Sequence, residues 1–111
     1  MPVYTFLTKK GGIDMDTYFM FGQYSSESFN QMSTERTDKA ITLLSKYGGQ
    51  VNSMYTLLGE QDIVLIVEFP DLKQVMKASI ALTKMTGISF KTSPAIAVED
   101  FDKLITGRVH L

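Results

Sequence analysis

The chain contains no cysteine and only one histidine, His110. The first absence excludes disulfides, zinc–thiolate sites and thiol catalysis together. The second leaves no material for a metal site built from a histidine cluster. Neither sign of charge dominates: 11 basic residues stand against 12 acidic ones, for a formal net charge of -1, without a long run of either. Nucleic acid and anionic membranes both need a concentrated basic footprint, so neither is expected as a partner. No apolar run approaches the roughly 18 residues of a spanning helix; no signal peptide is expected ahead of the domain, and cytoplasmic residence is the expectation. Phosphate loops, dinucleotide fingerprints, nucleophile elbows and metal motifs are all missing, so no cofactor is expected. His110 sits beside the C-terminus and reads as part of a tail rather than as a catalytic base.

What the chain does have is apolar strand material. Its 111 residues are 44% hydrophobic, enough for one domain with a real core. Within Asp62–Phe69, residues Ile63, Leu65, Val67 and Phe69 point one way, and Val64 and Ile66 point the other with Glu68 beside them. A half-exposed antiparallel strand would alternate apolar with polar, so this one is expected to be covered on both faces. Tyr18–Tyr24 likewise lacks clean alternation, and Gly22 within it marks a bulge or a close backbone approach.

Around these two runs the elements follow in order. Pro2–Leu7 reads as a short strand, ended by Lys9-Lys10-Gly11-Gly12. A polar segment, Ser25–Gln31, leads to a helix capped at Ser33 or Thr34, with Ala40, Ile41, Leu44 and Tyr47 on one side and Gly48-Gly49 as its stop. Val51–Leu58 is a strand, and Gly59–Asp62 the link to the apolar one. Asp71 and Gln74 have capping-box spacing at the start of a second helix, whose inner stripe is expected to be Leu72, Val75, Met76 and Ile80, widened by Ala78, Ala81, Leu82 and Met85, with Gly87 closing it. Ile88–Val98 is a last strand, placed at an edge or bulge by Pro94. Glu99–Ile105 reads as a short helix with Phe101, Leu104 and Ile105 turned inward.

The order β-α-β-β-α-β is that of an α+β, ferredoxin-like split βαβ fold, a two-layer sandwich. Its first and third strands lie at the centre of the sheet, and those are the two runs that refuse to alternate. Both helices of this fold cover one face of the sheet. Leaving the other face in water forfeits roughly 1.5–3 kcal/mol per large apolar side chain and creates the kind of patch that marks an interface. A second copy closing face to face, into a dimeric α/β barrel with a lumen, is therefore expected; the alternative is that Pro2–Leu7 or the terminal helix folds back over the sheet.

Met54-Tyr-Thr-Leu-Leu-Gly-Glu-Gln-Asp-Ile-Val-Leu-Ile-Val-Glu-Phe-Pro-Asp71 resembles the signature hairpin of the GYD domain family, small bacterial and archaeal proteins named for a Gly-x-Tyr-Asp turn. Gly48-Gly49-x-Val51, Gly87 and Tyr18–Tyr24 fit the same pattern. Gly59 and Asp62 match the named turn, whereas Gln61 stands where the family has tyrosine, so a role of that phenol does not carry over. The resemblance spans about residues 17 to 105. It leaves residues 1–15 as an extension and 16–111 as one domain, and it implies a ferredoxin-like, oligomeric α/β-barrel protein of largely undefined activity.

Few residues suggest chemistry. Gly59 and Asp62 read most simply as turn residues, a glycine for positive φ and an aspartate for a local side-chain to backbone bond. Glu68 shares its face with Val64 and Ile66; a carboxyl withdrawn from water there suits a general acid or base, while the plainer reading pairs it with a lysine or arginine or lets it reach solvent. Arg36 lies in the first turn of a helix, where the dipole disfavours a cation, so it is either solvated or reserved for an anionic ligand at the barrel mouth. Tyr18, Tyr24 and Tyr55 offer hydroxyls to a ligand if they are not simply core aromatics. The function expected from this set is that of a homo-oligomer binding a small, largely apolar ligand or acting in regulation. The alternative is a cofactor-independent oxygenase or isomerase in the lumen, with Glu68 as acid/base and a tyrosine as orienting donor.

Overall fold

The computed structural model describes residues 14–107, so the Pro2–Leu7 strand, the Lys9–Gly12 break and His110 lie outside the described residues. The elements are β1 (Asp16–Gln23), α1 (Ser26–Asn30), α2 (Thr34–Lys46), β2 (Gln50–Thr56), β3 (Ile63–Phe69), α3 (Leu72–Thr86), β4 (Ser89–Ala95) and α4 (Val98–Thr106). The four strands form one antiparallel sheet in the order β2-β3-β1-β4. The two non-alternating runs, β1 and β3, are its central pair, as the split βαβ arrangement requires. Pro94 falls on the edge strand β4, where the missing amide does not interrupt a central ladder.

Register separates the two faces. Tyr18 pairs with Val67 and Met20 with Leu65; with Phe69 these side chains are all but fully buried beneath the helices, together with Ala40 and Leu44 of α2 and Val75, Ala78 and Leu82 of α3. The intervening positions, Phe19 opposite Ile66 and Phe21 opposite Val64, belong to the other face. Gly22 keeps register with Ile63 on one side and Phe90 on the other, so it is no bulge. It is a close approach: a Cβ there would stand 2.8 Å from both Ile63 and Phe90. The sheet's irregularity lies instead in β2, between Val51 and Ser53, at Asn52.

Three sequence expectations are corrected. Ser25–Gln31 is not merely a polar lead. Ser25 caps α1 with a reciprocal box in which the Ser28 amide donates to Ser25 Oγ at 3.0 Å and the Ser25 amide to Ser28 Oγ at 2.8 Å. On α3 the inner stripe is Val75, Ala78, Leu82 and Thr86, whereas Leu72, Met76 and Ile80 are more than half exposed. The helix is apolar over more of its circumference than one sheet covers, and the small Ala78 selects the side that approaches closest. Third, Phe101, Leu104 and Ile105 do not turn inward. No residue of α4 is buried, and these three are exposed by 52%, 47% and 68%.

The capping signals hold where the sequence places them. Ser33 Oγ accepts from the Arg36 amide at 3.0 Å and Asp71 Oδ1 from the Gln74 amide at 2.9 Å, each satisfying a donor that the first helical turn leaves open. Gly48 and Gly87 take the left-handed conformation after α2 and α3. No helix among the described residues is long and apolar enough to cross a membrane.

Candidate functional site

The helix layer does not seal the sheet along its whole length. Between the N-terminal half of α2, the C-terminal half of α3 and the sheet lies a cleft of about 460 Å³. Met54, Leu65 and Phe90 form its floor, and Ala40, Leu82 and Thr86 reach it from the helices. The Thr86 hydroxyl is already committed: it donates to the Leu82 carbonyl at 2.8 Å and accepts from the Ile88 amide at 3.1 Å, tying α3 to the start of β4. The walls are therefore apolar in practice. Polar character is concentrated where α2 begins, with Ser33, Thr34, Arg36 and Thr37 lining the cleft beside Tyr24 and Tyr55.

Arg36 is held there by α1. Its Nη1 donates to the Ser28 carbonyl at 2.6 Å, an arrangement that offsets the unfavourable end of the α2 dipole. It has no carboxylate partner among the described residues. Tyr24, partly buried, is positioned from both sides. Its ring packs on Phe29 at a centroid separation of 6.0 Å, and its backbone amide donates to Asp62 Oδ2 at 2.8 Å. Burial raises the phenol above its ordinary 10.0, with Arg36 pulling it back down and Asp62 adding to the rise.

Asp62 thus does more than a local turn requires. Its carboxylate reaches a residue 38 positions away, its amide donates to the Gly22 carbonyl at 2.9 Å, and its carbonyl accepts from the Leu57 amide at 2.8 Å. These bonds pin the β2–β3 hairpin to the end of β1, where Tyr24 leaves the sheet. Gly59, at φ 127, supplies the left-handed residue of the turn itself.

The structure separates the other candidates. Tyr18 is a core aromatic, 4% exposed, and faces the helices rather than the cleft. Burial pushes its phenol upward too, with Asp16 and Asp71 contributing. Glu68 is on the opposite side of the sheet, 8% exposed, and its Oε2 accepts from Asn52 Nδ2 at 2.7 Å. Its partner is an amide, not a cation, and no tyrosine hydroxyl bonds to it among the described residues. Two polar atoms beside it, Asn52 Oδ1 and Gln50 Nε2, are buried with no hydrogen-bond partner among the described residues. Neither residue stood out in the sequence, because the bulge at Asn52 breaks the alternation that would have assigned both to one face. Tyr24 and Arg36 come together at the cleft; Tyr55 borders it, but its register opposite Val64 turns the ring to the other face of the sheet, and Tyr18 and Glu68 do not join them.

Both raised phenols have a measurable consequence. A group that holds its proton more tightly when folded contributes stability that is complete below its unfolded value, near pH 10 here, and is lost as pH rises through the folded value. Urea midpoints are expected to be flat between about pH 8 and 9.5 and to fall above about pH 10.5, in step with late-ionising tyrosine absorbance. A midpoint that holds steady to about pH 11.5 contradicts this.

A model of the GYD domain matches residues 16–105. No curated protein sequence matches at a significant level. Among solved structures, an AsnC family transcriptional regulator from Agrobacterium tumefaciens superposes with a TM-score of 0.56 at 17% identity, over 87% of this chain and 60% of its own. A further transcriptional regulator gives 0.58 at 14% identity, over 78% of this chain and 52% of its own. The leucine response regulatory protein of Mycobacterium tuberculosis gives 0.50 at 13% identity, over 74% and 51%. At these identities the likeness is one of fold, and the chain spans between half and three fifths of the length of each.

Proposed function

Since this chain belongs to the GYD domain family, we propose that it is a small-molecule-binding domain of regulatory type, working as a homo-oligomer. The observation that carries the reading is the unfilled cleft of about 460 Å³. Pockets that hold small ligands are concave, mostly apolar and furnished with a few convergent polar groups; this one has apolar walls and a single polar end. The regulatory part of the reading is drawn from the structural neighbours, two of which are described as transcriptional regulators and a third as a leucine response regulatory protein. With 11 basic and 12 acidic residues, the chain has no nucleic-acid footprint of its own, so regulation in this reading passes through ligand and protein contacts.

Self-association is supported by surfaces that a single chain leaves unfinished. Phe19, Phe21 and Ile66 remain partly exposed on the helix-free face. The apolar side of α4 and the outer ridge of α3 are exposed as well. The unpartnered Asn52 Oδ1 and Gln50 Nε2 are one acceptor and one donor, the pair that a two-fold interface reciprocates between copies. A sheet-to-sheet dimer, closing an α/β barrel, accounts for the helix-free face and these amides together.

Ligand binding to the folded state raises thermal stability by mass action, by about 2.7 kcal/mol at a hundredfold excess over Kd. A thermal-shift screen of small aromatic and aliphatic acids, quinones and neutral apolar compounds is expected to give shifts of several degrees for a subset. Silence across all of those classes overturns the binding reading.

A further inference from the structure

We propose that the cleft takes a small monocarboxylate with an apolar body and no ammonium group, its carboxylate held by Arg36 beside Tyr24 and the first turn of α2, within a single protomer. This rests on the ligand-binding reading above and names the ligand's chemistry.

Arg36 is a partly buried residue at the polar end of a cavity whose remaining walls are mostly apolar. Among the described residues one of its donors is spoken for, by the Ser28 carbonyl, and that carbonyl leaves the positive charge uncancelled. A guanidinium presents five donors in a planar fork that matches a carboxylate. A cation kept next to apolar walls without an acidic partner is stabilised by an incoming anion, which gains charge-assisted hydrogen bonds in a site of reduced dielectric. The Tyr24 hydroxyl, protonated at neutral pH because its ionisation lies above 10.0, adds a neutral donor beside it. Thr34, at the amino end of α2, adds another hydroxyl on the same side.

The rest of the cleft decides what the anion is attached to. Met54, Leu65, Leu82, Ile88 and Phe90 suit a branched or aromatic hydrocarbon. Equally telling is what the lining lacks: among the described residues it contains no aspartate and no glutamate. Asp62 gives Oδ2 to the Tyr24 backbone amide and lines a neighbouring hollow with Phe29 and Leu57 rather than this cleft. An α-ammonium group entering with the carboxylate would lose its hydration and find no counter-charge, a penalty that selects against amino acids and for simple, hydroxy or oxo acids of the same shape. A doubly charged acid fares no better, since the described lining of the cleft offers one cation. Phosphate esters are disfavoured for the same reason.

Calorimetry on the unaltered protein tests this with three compounds of one skeleton: 3-phenylpropanoate, L-phenylalanine, which adds the ammonium group, and 3-phenylpropanamide, which removes the charge. The expected order places 3-phenylpropanoate first, with each of the others weaker by about 10-fold or more. Arg36→Gln is expected to weaken 3-phenylpropanoate by about 10- to 100-fold while leaving the amide unchanged, and Arg36→Lys to fall between. Ala40→Leu, which adds side-chain volume inside the cleft, is expected to abolish binding of all three while circular dichroism shows the fold retained; if that variant unfolds, the smaller Ala40→Val takes its place in the same comparison. Should Arg36→Gln disturb α1 through its lost bond to Ser28, the comparison of compounds on the unaltered chain decides alone. Amide or amino acid binding as tightly as the carboxylate, with Ala40→Leu still abolishing it, overturns the carboxylate assignment and leaves the cleft as a binding site. Binding that survives Ala40→Leu undiminished removes the ligand from the cleft. No heat with any of the three, together with silence in the wider thermal screen, overturns the binding reading itself.

Discussion

Ile66→Asp is expected to convert a paired protein into single protomers that remain folded. Ile66 sits in the middle of β3, opposite Phe19 of β1, on the face turned away from α2 and α3, and is partly exposed between the buried Val64 and Glu68. In a two-fold assembly the change is made twice. Each copy loses roughly 1.5–3 kcal/mol of apolar burial, and each introduces a carboxylate that would have to be stripped of water. The lost burial alone weakens the dimer by about 10²- to 10⁴-fold. Sedimentation velocity across micromolar concentrations reads the outcome, with circular dichroism confirming that each protomer keeps its fold. The neighbouring substitution Val67→Asp provides the contrast, because Val67 is fully buried beneath the helices; it is expected to unfold the chain rather than part the copies. A parent protein that sediments as a lone protomer at tens of micromolar, or a variant indistinguishable from it, would overturn the sheet-to-sheet assembly.

A large effect on stability is also expected from one added methyl group. A Cβ on Gly49 would fall within the ring of Phe69, closer than any relaxed contact allows. Phe69 is fully buried and ends β3, while Gly49 joins α2 to β2 through a backbone bond to the Leu44 carbonyl at 3.0 Å. Neither the ring nor the backbone has room to give. Gly49→Ala is therefore expected to cost about 3 kcal/mol, at the upper end of overpacking, read as a lower urea midpoint with an unchanged slope. Combining it with Phe69→Leu, which vacates the ring position, should restore part of the loss, giving a coupling that a double-mutant cycle detects. Additive losses would show that the two residues do not share that space.

The parts of the molecule legible from its residues are those in which local chemistry and packing agree. Ser33, Asp71 and Gly87 mark helix ends because each satisfies an orphan backbone group or adopts a conformation that others resist. The doubly apolar runs in β1 and β3 announce the centre of the sheet because only central strands need cover on both faces. What escaped the sequence depends on non-local geometry. Leu72, Met76 and Ile80 satisfy helical spacing as well as Val75, Ala78 and Leu82 do, and only the approach of α3 to the sheet chooses between the stripes. Arg36 and Tyr24 each stand out alone, yet nothing in their spacing places them in one cleft. The Asp62 carboxylate crosses to Tyr24, a link invisible to any reading of the turn alone. The cleft itself is a shortfall of side-chain volume between α2, α3 and the sheet, and volume left unfilled has no signature in composition.

The outermost strands carry a last consequence. On β4, Pro94 withholds an amide and Lys91 is exposed along the border; on β2, the extra residue at Asn52 disrupts the opposite border. Both rims of the sheet are thereby poor templates for recruiting another strand, the route by which β-proteins grow into open ribbons and amyloid. Growth is barred sideways and left open only across the faces, where a pair saturates itself. Concentrated solutions of this protein should accordingly stay clear and fail to seed cross-β fibres.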